Sequence, residues 1–201
     1  MISAIILAAG QSKRMGKPKM LLSWGDVTVI EHVITVFAEA GVEDMLVVTG
    51  AAREKVEDVV SRCEGRFPVR SVYNDRFANG EMLSSIQCGL RCLAERRLEV
   101  AMIGLGDQPQ VQERSVRLVL DKYVKSGSRL VVPSYHMQRG HPWLVAHSLW
   151  GELLEMRENQ SPRDFLNRHT STINYVNVDT PDILADMDTP EEYQAARQNY
   201  L

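Results

Sequence analysis

Ile2-Ser3-Ala4-Ile5-Ile6-Leu7-Ala8-Ala9-Gly10-Gln11-Ser12-Lys13-Arg14-Met15-Gly16-Lys17-Pro18-Lys19 is the stretch on which the reading turns. Residues 2–7 form a short, continuous apolar run, as a strand buried on both faces requires. The run gives way to small residues and then to Arg14 and the lysines at 13, 17 and 19. Small residues let a backbone come close to a ligand, and the N–H groups of such a turn can grip anionic oxygens. Arg14 can clamp a phosphate through paired bonds, whereas a lysine acts as a point charge. Two well-known phosphate loops fail by spacing. A P-loop needs four residues between its glycines and then Lys-Ser/Thr, but five separate Gly10 from Gly16, and Pro18 follows Lys17. A dinucleotide fingerprint needs Gly where Ser12 stands. Taken alone, the segment also suits a solvated basic connection.

Outward from this strand, apolar runs alternate with helical patterns. Strands are predicted at 2–7, 44–49, 69–73, 100–105 and 130–133, and helices at 29–40, 53–63, 83–96 and 113–125. In the first helix Ile30, Val33, Ile34 and Phe37 recur at helical spacing, and Gly41 supplies the stop. This alternation predicts an α/β fold, with a mostly parallel, twisted sheet and helices on both faces. After residue 133 the rhythm changes. Residues 135–142 read as a turn or hairpin, followed by the apolar Leu144-Val145-Ala146. Short helices at 148–156 and 162–168, a late strand at 172–178 and a closing helix at 190–198 with Thr189 as its N-cap complete the pattern. With neither linker nor repeat, residues 1–201 read as one domain.

The composition limits the partners. With 23 Lys and Arg against 26 Asp and Glu, the formal charge is −3, which gives no basic face for nucleic acid. No run approaches the roughly 20 apolar residues that span a bilayer, and the first strand lacks a basic leader, so no membrane partner and a cytoplasmic location are expected. Cys63, Cys88 and Cys92 read as reduced thiols, with Cys88 and Cys92 packing on a helix face.

Two acidic segments carry the next signal. Gly106-Asp107-Gln108-Pro109 follows the strand at 100–105, and the carboxyl end of a parallel strand is where ligands bind in open α/β sheets. A turn aspartate bonded to its own backbone is the alternative. In Asp186-Met187-Asp188-Thr189-Pro190 the two carboxylates point the same way if the chain is extended, although Asp188 also suits helix entry. Two carboxylates beside triphosphate oxygens are what a hard cation such as Mg²⁺ requires, so Asp107 and Asp188 form a candidate pair. Gly80, Ser84 and Ser85 lie in a helix-opening segment that can meet a base or ribose or serve as a cap. Arg139-Gly140-His141-Pro142 is a compact turn, either on the surface or against a substrate. His32, His136, His147 and His169 have no evident partner in the sequence, and Trp24, Trp143 and Trp150 read as packing residues.

Together these residues resemble the nucleotidyltransferases that attach a nucleotide to molybdopterin. The motif elements are Leu7-Ala8-Ala9-Gly10-x-Ser12-x-Arg14-Met15-Gly16-x-x-Lys19, Met82-x-Ser84-Ser85, Gly106-Asp107-Gln108-Pro109, Arg139-Gly140-His141-Pro142 and Asp186-x-Asp188-Thr189-Pro190. Their combination narrows the resemblance toward the molybdenum cofactor cytidylyltransferases. The resemblance implies a Rossmann-like nucleotidyltransferase fold. It implies that Leu7, Ala8, Ala9, Gly10 and Ser12 meet the nucleotide, with Ala8 to Gly10 at base and sugar. Gly80, Ser84 and Ser85 join them. Arg14 and Lys19 hold the phosphates and, with Asp107, carry catalysis. Asp107 and Asp188 hold Mg²⁺, with Mn²⁺ as the alternative, and Arg139, Gly140, His141 and Pro142 face the acceptor. Ala9, where guanylyl-transferring relatives usually have Gly, implies CTP over GTP. The family's common Gly-Met-Ser-Ser-Ser is here Gly80-Glu81-Met82-Leu83-Ser84-Ser85, which alters the base or ribose contact. The expected partners are CTP and molybdopterin or molybdenum cofactor, with a recipient molybdoenzyme beyond. The alternatives are a transferase using GTP or acting on a sugar- or alcohol-phosphate, and, from another class, a non-catalytic accessory protein that passes cofactor to a molybdoenzyme.

Overall fold

The computed structural model describes residues 1–79, 81–96 and 98–200. Its strands are β1 (Ile2–Ala8), β2 (Ser23–Trp24), β3 (Val27–Thr28), β4 (Asp44–Thr49), β5 (Val69–Tyr73), β6 (Val100–Leu105), β7 (Leu130–Tyr135), β8 (Gln138–Arg139), β9 (Trp143–Ala146) and β10 (Asn174–Asn177). The helices are α1 (Val29–Glu39), α2 (Arg53–Glu64), α3 (Glu81–Ala94), α4 (Glu113–Ser126), α5 (Trp150–Glu155), α6 (Pro162–Arg168) and α7 (Pro190–Tyr200). Among the described residues the main sheet runs β10-β7-β9-β6-β1-β4-β5, with β8 paired to β7. β1 is central and parallel to both β4 and β6.

Alternation along β1 distributes the core. Ala4, Ile6 and Ala8 face a cluster with Ile34 and Phe37 of α1, Val60 of α2 and Val119 of α4. Ile5 and Leu7 face the other side, with Ile86 and Leu90 of α3, Trp150 of α5 and Phe165 of α6. Successive strand residues point to opposite faces, so a strand covered on both must be apolar throughout. Trp24, Trp143 and Trp150 are fully buried packing residues, each large apolar side chain contributing about 1.5–3 kcal/mol.

The predicted elements are present, with instructive differences after residue 130. The strand expected to end at Pro133 continues to Tyr135 and turns through His136 and Met137, both at positive φ, into β8. Two such residues make the tight hairpin turn whose twist matches its strands. Leu144-Val145-Ala146 belongs to β9, which is antiparallel to both β6 and β7, so the sheet is mixed on this side. The stretch 148–156 divides into a 3-10 turn, His147–Leu149, and α5. The hairpin of β2 and β3, turned through Gly25 at φ 62° and Asp26, is an element beyond those expected. Among the described residues no helix is long and apolar enough to cross a membrane. The three cysteines are free thiols.

At the sheet end away from Asp107, the buried Asp44 accepts from Ser3 Oγ at 2.6 Å and Arg96 Nη1 at 2.8 Å, and also pairs with Arg70. Burial pushes its carboxyl pKa up, but Ser3, Arg70 and Arg96 outweigh this and hold it below the ordinary 3.8. A group depressed on folding stabilises the fold fully above its unfolded pKa, and that contribution fades as pH falls through the folded value. Asp44→Asn should therefore cost about 1–2 kcal/mol at pH 7, a figure held down by the part-exposed arginines. The gap to wild type should narrow below about pH 4. Urea unfolding at pH 7 and pH 3 checks this; an equal gap at both would show that the cluster does not link folding to protonation.

Candidate active site

β1 leads into the loop that begins at Ala9. Ser12, at φ 49°, folds the loop on itself: its carbonyl accepts the N–H groups of Met15 and Gly16, both at 3.1 Å. Its Oγ accepts the Lys19 N–H, also at 3.1 Å. Met15 of the loop is buried. Gly50 allows the end of β4 to approach, since a Cβ there would lie 2.8 Å from Ala9 Cα. The Ala51 N–H then reaches the Ala9 carbonyl at 3.3 Å. At Gly10 an added Cβ meets no atom within 4 Å, so the protein's own packing does not demand glycine there. The space beside it opens onto a cleft of about 580 Å³.

This cleft is lined by Leu7, Ala9, Gly10, Ser12, Arg14, Lys19, Ser85, Asp107 and Asp188. Strands end on two of its sides, and the charged groups meet between them. Lys19, on a 3-10 turn Lys19–Leu21, is 7% exposed. Its Nζ donates to Asp107 Oδ2 at 2.6 Å and to Asp188 Oδ1 at 2.7 Å. Arg14 pairs with the other Asp188 oxygen, Oδ2. Burial alone would pull the Lys19 pKa down, but the two carboxylates outweigh it and leave it raised. The bond from Lys19, with Arg14 adding to it, holds Asp188 below the usual carboxylate range. Asp188 is further fixed by a capping box at the start of α7. Thr189 Oγ1 accepts the Glu192 N–H at 3.2 Å, while Glu192 Oε2 accepts the N–H groups of Asp188 and Thr189 at 2.7 and 2.9 Å.

The donor set fits a hard divalent ion. Two carboxylates from distant segments already converge on one cation, and both side chains keep a quarter or more of their surface exposed toward the cleft. Among the described residues no three His, Cys, Asp or Glu are arranged to hold a metal, so phosphate and water oxygens would supply the remaining ligands.

The other expected residues fall into distinct places. Ala8 is buried in the core beneath the loop. Ser84 is buried and, like Ser85, accepts from Asn74 Nδ2, at 2.9 and 3.1 Å. Only Ser85 of this pair lines the cleft. Gly80 lies outside the described residues.

Arg139, Gly140, His141 and Pro142 do not line the cleft. The Arg139 guanidinium donates to Tyr175 Oη, Asn167 Oδ1 and Thr170 Oγ1, each at 2.9 Å. Gly140 packs directly on Ile183, and the His141 N–H donates to the Ile183 carbonyl at 3.1 Å. Ile183 is held on its other side through Asp182, whose Oδ2 accepts from Gln112 N at 2.8 Å and Ser115 Oγ at 2.9 Å. The turn therefore clasps the segment that carries Asp188. Burial pushes the half-buried His141 imidazole down to about 4, so at neutral pH it adds no charge.

Sequence reasoning missed part of the lining. Phe77, Ala78 and Met82 form an apolar wall, and Gln11 and Lys13 extend the loop's rim. Asp186 also faces the cleft, its pKa raised first by burial and then by Asp188 and Asp107. The alternating Asp-x-Asp spacing was its signal. His169, whose partner was not evident in the sequence, pairs with Glu152 at 2.6 Å.

Residues 4–173 match the family described as MobA-like NTP transferase domain. The chain belongs to this family. Family membership makes it a nucleotidyltransferase, which agrees with a cleft where cations and carboxylates meet at the ends of parallel strands. Over its full length it is similar to the molybdenum cofactor cytidylyltransferase of Escherichia coli K12, at 25% identity over 205 residues, covering 99% of this chain and 97% of that protein. It is also similar to the bifunctional protein GlmU of Syntrophomonas wolfei, at 30% identity over 139 residues and 68% of this chain, but spans only 29% of that protein's length. Among solved structures, Rv0371c from Mycobacterium tuberculosis H37Rv superimposes with a TM-score of 0.81 at 26% identity, covering 98% of both chains. A manganese complex of Rv0371c superimposes with a TM-score of 0.74 at 24% identity, covering 98% of this chain and 97% of that one.

Proposed function

We propose that the chain transfers CMP from CTP to the terminal phosphate of molybdopterin or molybdenum cofactor and releases pyrophosphate, using Mg²⁺ or Mn²⁺ in the cytoplasm. The observation that carries the transfer chemistry is the convergence of Lys19, Asp107 and Asp188 beside the loop of Ala9 to Arg14. The full-length similarity to a molybdenum cofactor cytidylyltransferase supports the acceptor and the nucleotide, and Ala9 supports CTP.

In this reading the acceptor phosphate attacks the α-phosphorus in line with the departing pyrophosphate. The attacker is already an anion, so no strong general base is needed, and the site's task is to align two anions and offset their charge. Ala9, Gly10 and Ser12 place base and sugar against the apolar wall of Phe77 and Met82. Arg14 and Lys19 take the phosphates. Asp107 and Asp188 would hold the divalent ion, whose chemistry is to polarise phosphoryl oxygens and cancel charge on the leaving group. The clasp of Gly140 and His141 acts on catalysis by holding the Asp188 segment. A recipient molybdoenzyme would accept the product.

Pyrophosphate release with molybdopterin as acceptor should be at least about tenfold faster with CTP than with GTP or ATP, the discrimination available to a few pocket contacts. Faster turnover with GTP would overturn the nucleotide assignment. Turnover with a sugar phosphate but not with molybdopterin would establish the alternative acceptor, and nucleotide binding without any release would establish the accessory protein.

A further inference from the structure

The two cations expected to hold the triphosphate are the same two that occupy the expected metal ligands. Lys19 Nζ sits between Asp107 Oδ2 and Asp188 Oδ1, and Arg14 takes Asp188 Oδ2. Both Asp188 oxygens are therefore engaged by side-chain cations, and one Asp107 oxygen is as well. A divalent ion held by Asp107 and Asp188 would compete with the ammonium for the carboxylate oxygens that it now occupies. Two like-charged groups cannot share that seat. The lysine has an alternative, because its four-carbon stem and three donors can follow a phosphate oxygen into the cleft that Gly10 to Arg14 line. Arg14, with 69% of its side chain exposed, can turn toward the same oxygens.

We propose that Lys19, assisted by Arg14, is a placeholder cation that keeps the divalent-ion seat closed until a nucleoside triphosphate draws both side chains onto its phosphates, so that the metal binds with or after the nucleotide. This rests on the reading of the cleft as a metal–triphosphate site. The exchange is non-covalent: three cation–carboxylate contacts are traded for cation–phosphate contacts, and the freed carboxylate oxygens pass to the metal. Its effect is that an empty site does not collect metal. A ligand that prefers one of two states shifts the balance only by its differential affinity, and here the triphosphate supplies that difference.

The decisive measurement is Mn²⁺ binding to the full chain without nucleotide, followed by loss of the free-ion EPR signal and by the Mn²⁺-induced rise in Tm. Lys19→Met should bind Mn²⁺ about tenfold or more tightly than wild type, within the usual span of coupling between competing ligands. Lys19→Arg should restore weak binding, and adding Asp188→Asn to Lys19→Met should abolish the gain. Should Lys19→Met fail to fold, Arg14→Met at the exposed rim provides the second test, with an expected gain of about threefold or more. Unchanged or weaker Mn²⁺ binding in the folded variants would overturn the placeholder role, because a lysine that merely organises the carboxylates predicts that outcome. CTP turnover by wild type separates the two claims. Turnover without the Mn²⁺ gain sinks the placeholder alone, whereas the gain without turnover on any nucleotide sinks the transferase reading and leaves the cation competition standing.

Discussion

Asp107→Ala is expected to lower kcat by about a thousandfold or more while leaving the fold intact. Each factor of ten in rate is about 1.4 kcal/mol of barrier, and removing a carboxylate that would hold the charge-cancelling divalent ion costs several kcal/mol. Asp107 is well placed for this: it lies two residues beyond the end of β6, and its carboxylate lines the cleft and meets Lys19. The fold should survive because the side chain is a quarter exposed and Lys19 keeps Asp188 as a partner. Unfolding should shift by no more than about 1–2 kcal/mol. Steady-state kinetics at saturating Mg²⁺ with a parallel thermal melt decide the matter. Near-normal turnover in a folded variant would remove Asp107 from the chemistry.

Gly140→Ala is expected to damage both stability and activity, although residue 140 does not line the cleft. An added Cβ would overlap the Ile183 carbonyl oxygen and come within 2.7 Å of Ile183 Cδ1. Overpacking of this kind costs about 1–3 kcal/mol, which for a chain of this size lowers Tm by roughly 3–10 °C. Ile183 sits three and five residues before Asp186 and Asp188, so the strain displaces the carboxylates as well. A misplacement of about 1 Å near a reacting centre can cost a hundredfold in rate. The Mg²⁺ concentration for half-maximal rate should therefore rise, whereas simple global destabilisation leaves it unchanged below the melt. A variant that melts like wild type with normal Mg²⁺ dependence would show that the clasp does not place the carboxylates.

The sheet was legible because of what burial demands. Ala4 to Leu7, Met45 to Val48 and Val100 to Ile103 had to be apolar at every position, since helices cover both faces. Continuous apolar runs separated by helical spacing are hard to produce in another fold. The direction of β9 was not legible. Leu144, Val145 and Ala146 have the same character as a parallel strand, and only pairing with β6 and β7 reveals the reversal.

The candidate site divides in the same way. Small residues at 8–10, the cations Arg14 and Lys19, and carboxylates at 107, 186 and 188 are chemical types that the sequence displays openly. Arg139 illustrates the limit. It reads as part of a compact turn, either on the surface or against a substrate, and its three partners lie 28, 31 and 36 residues further on. Side-chain direction is set by such distant acceptors, which carry no local pattern.

The sequence by itself therefore determined the parallel core, the small-residue loop rich in cations and the identity of the charged groups, because burial and backbone geometry leave a periodic or local trace. Only the tertiary structure decided that Lys19 bridges Asp107 and Asp188 across 88 and 169 residues, that Arg139 is tied to Asn167, Thr170 and Tyr175, and that Gly140 clasps Ile183. The physical reason is range. Propensity and hydrophobic pattern act over a few residues, whereas an ion pair or a close packing contact depends on where the folded chain returns.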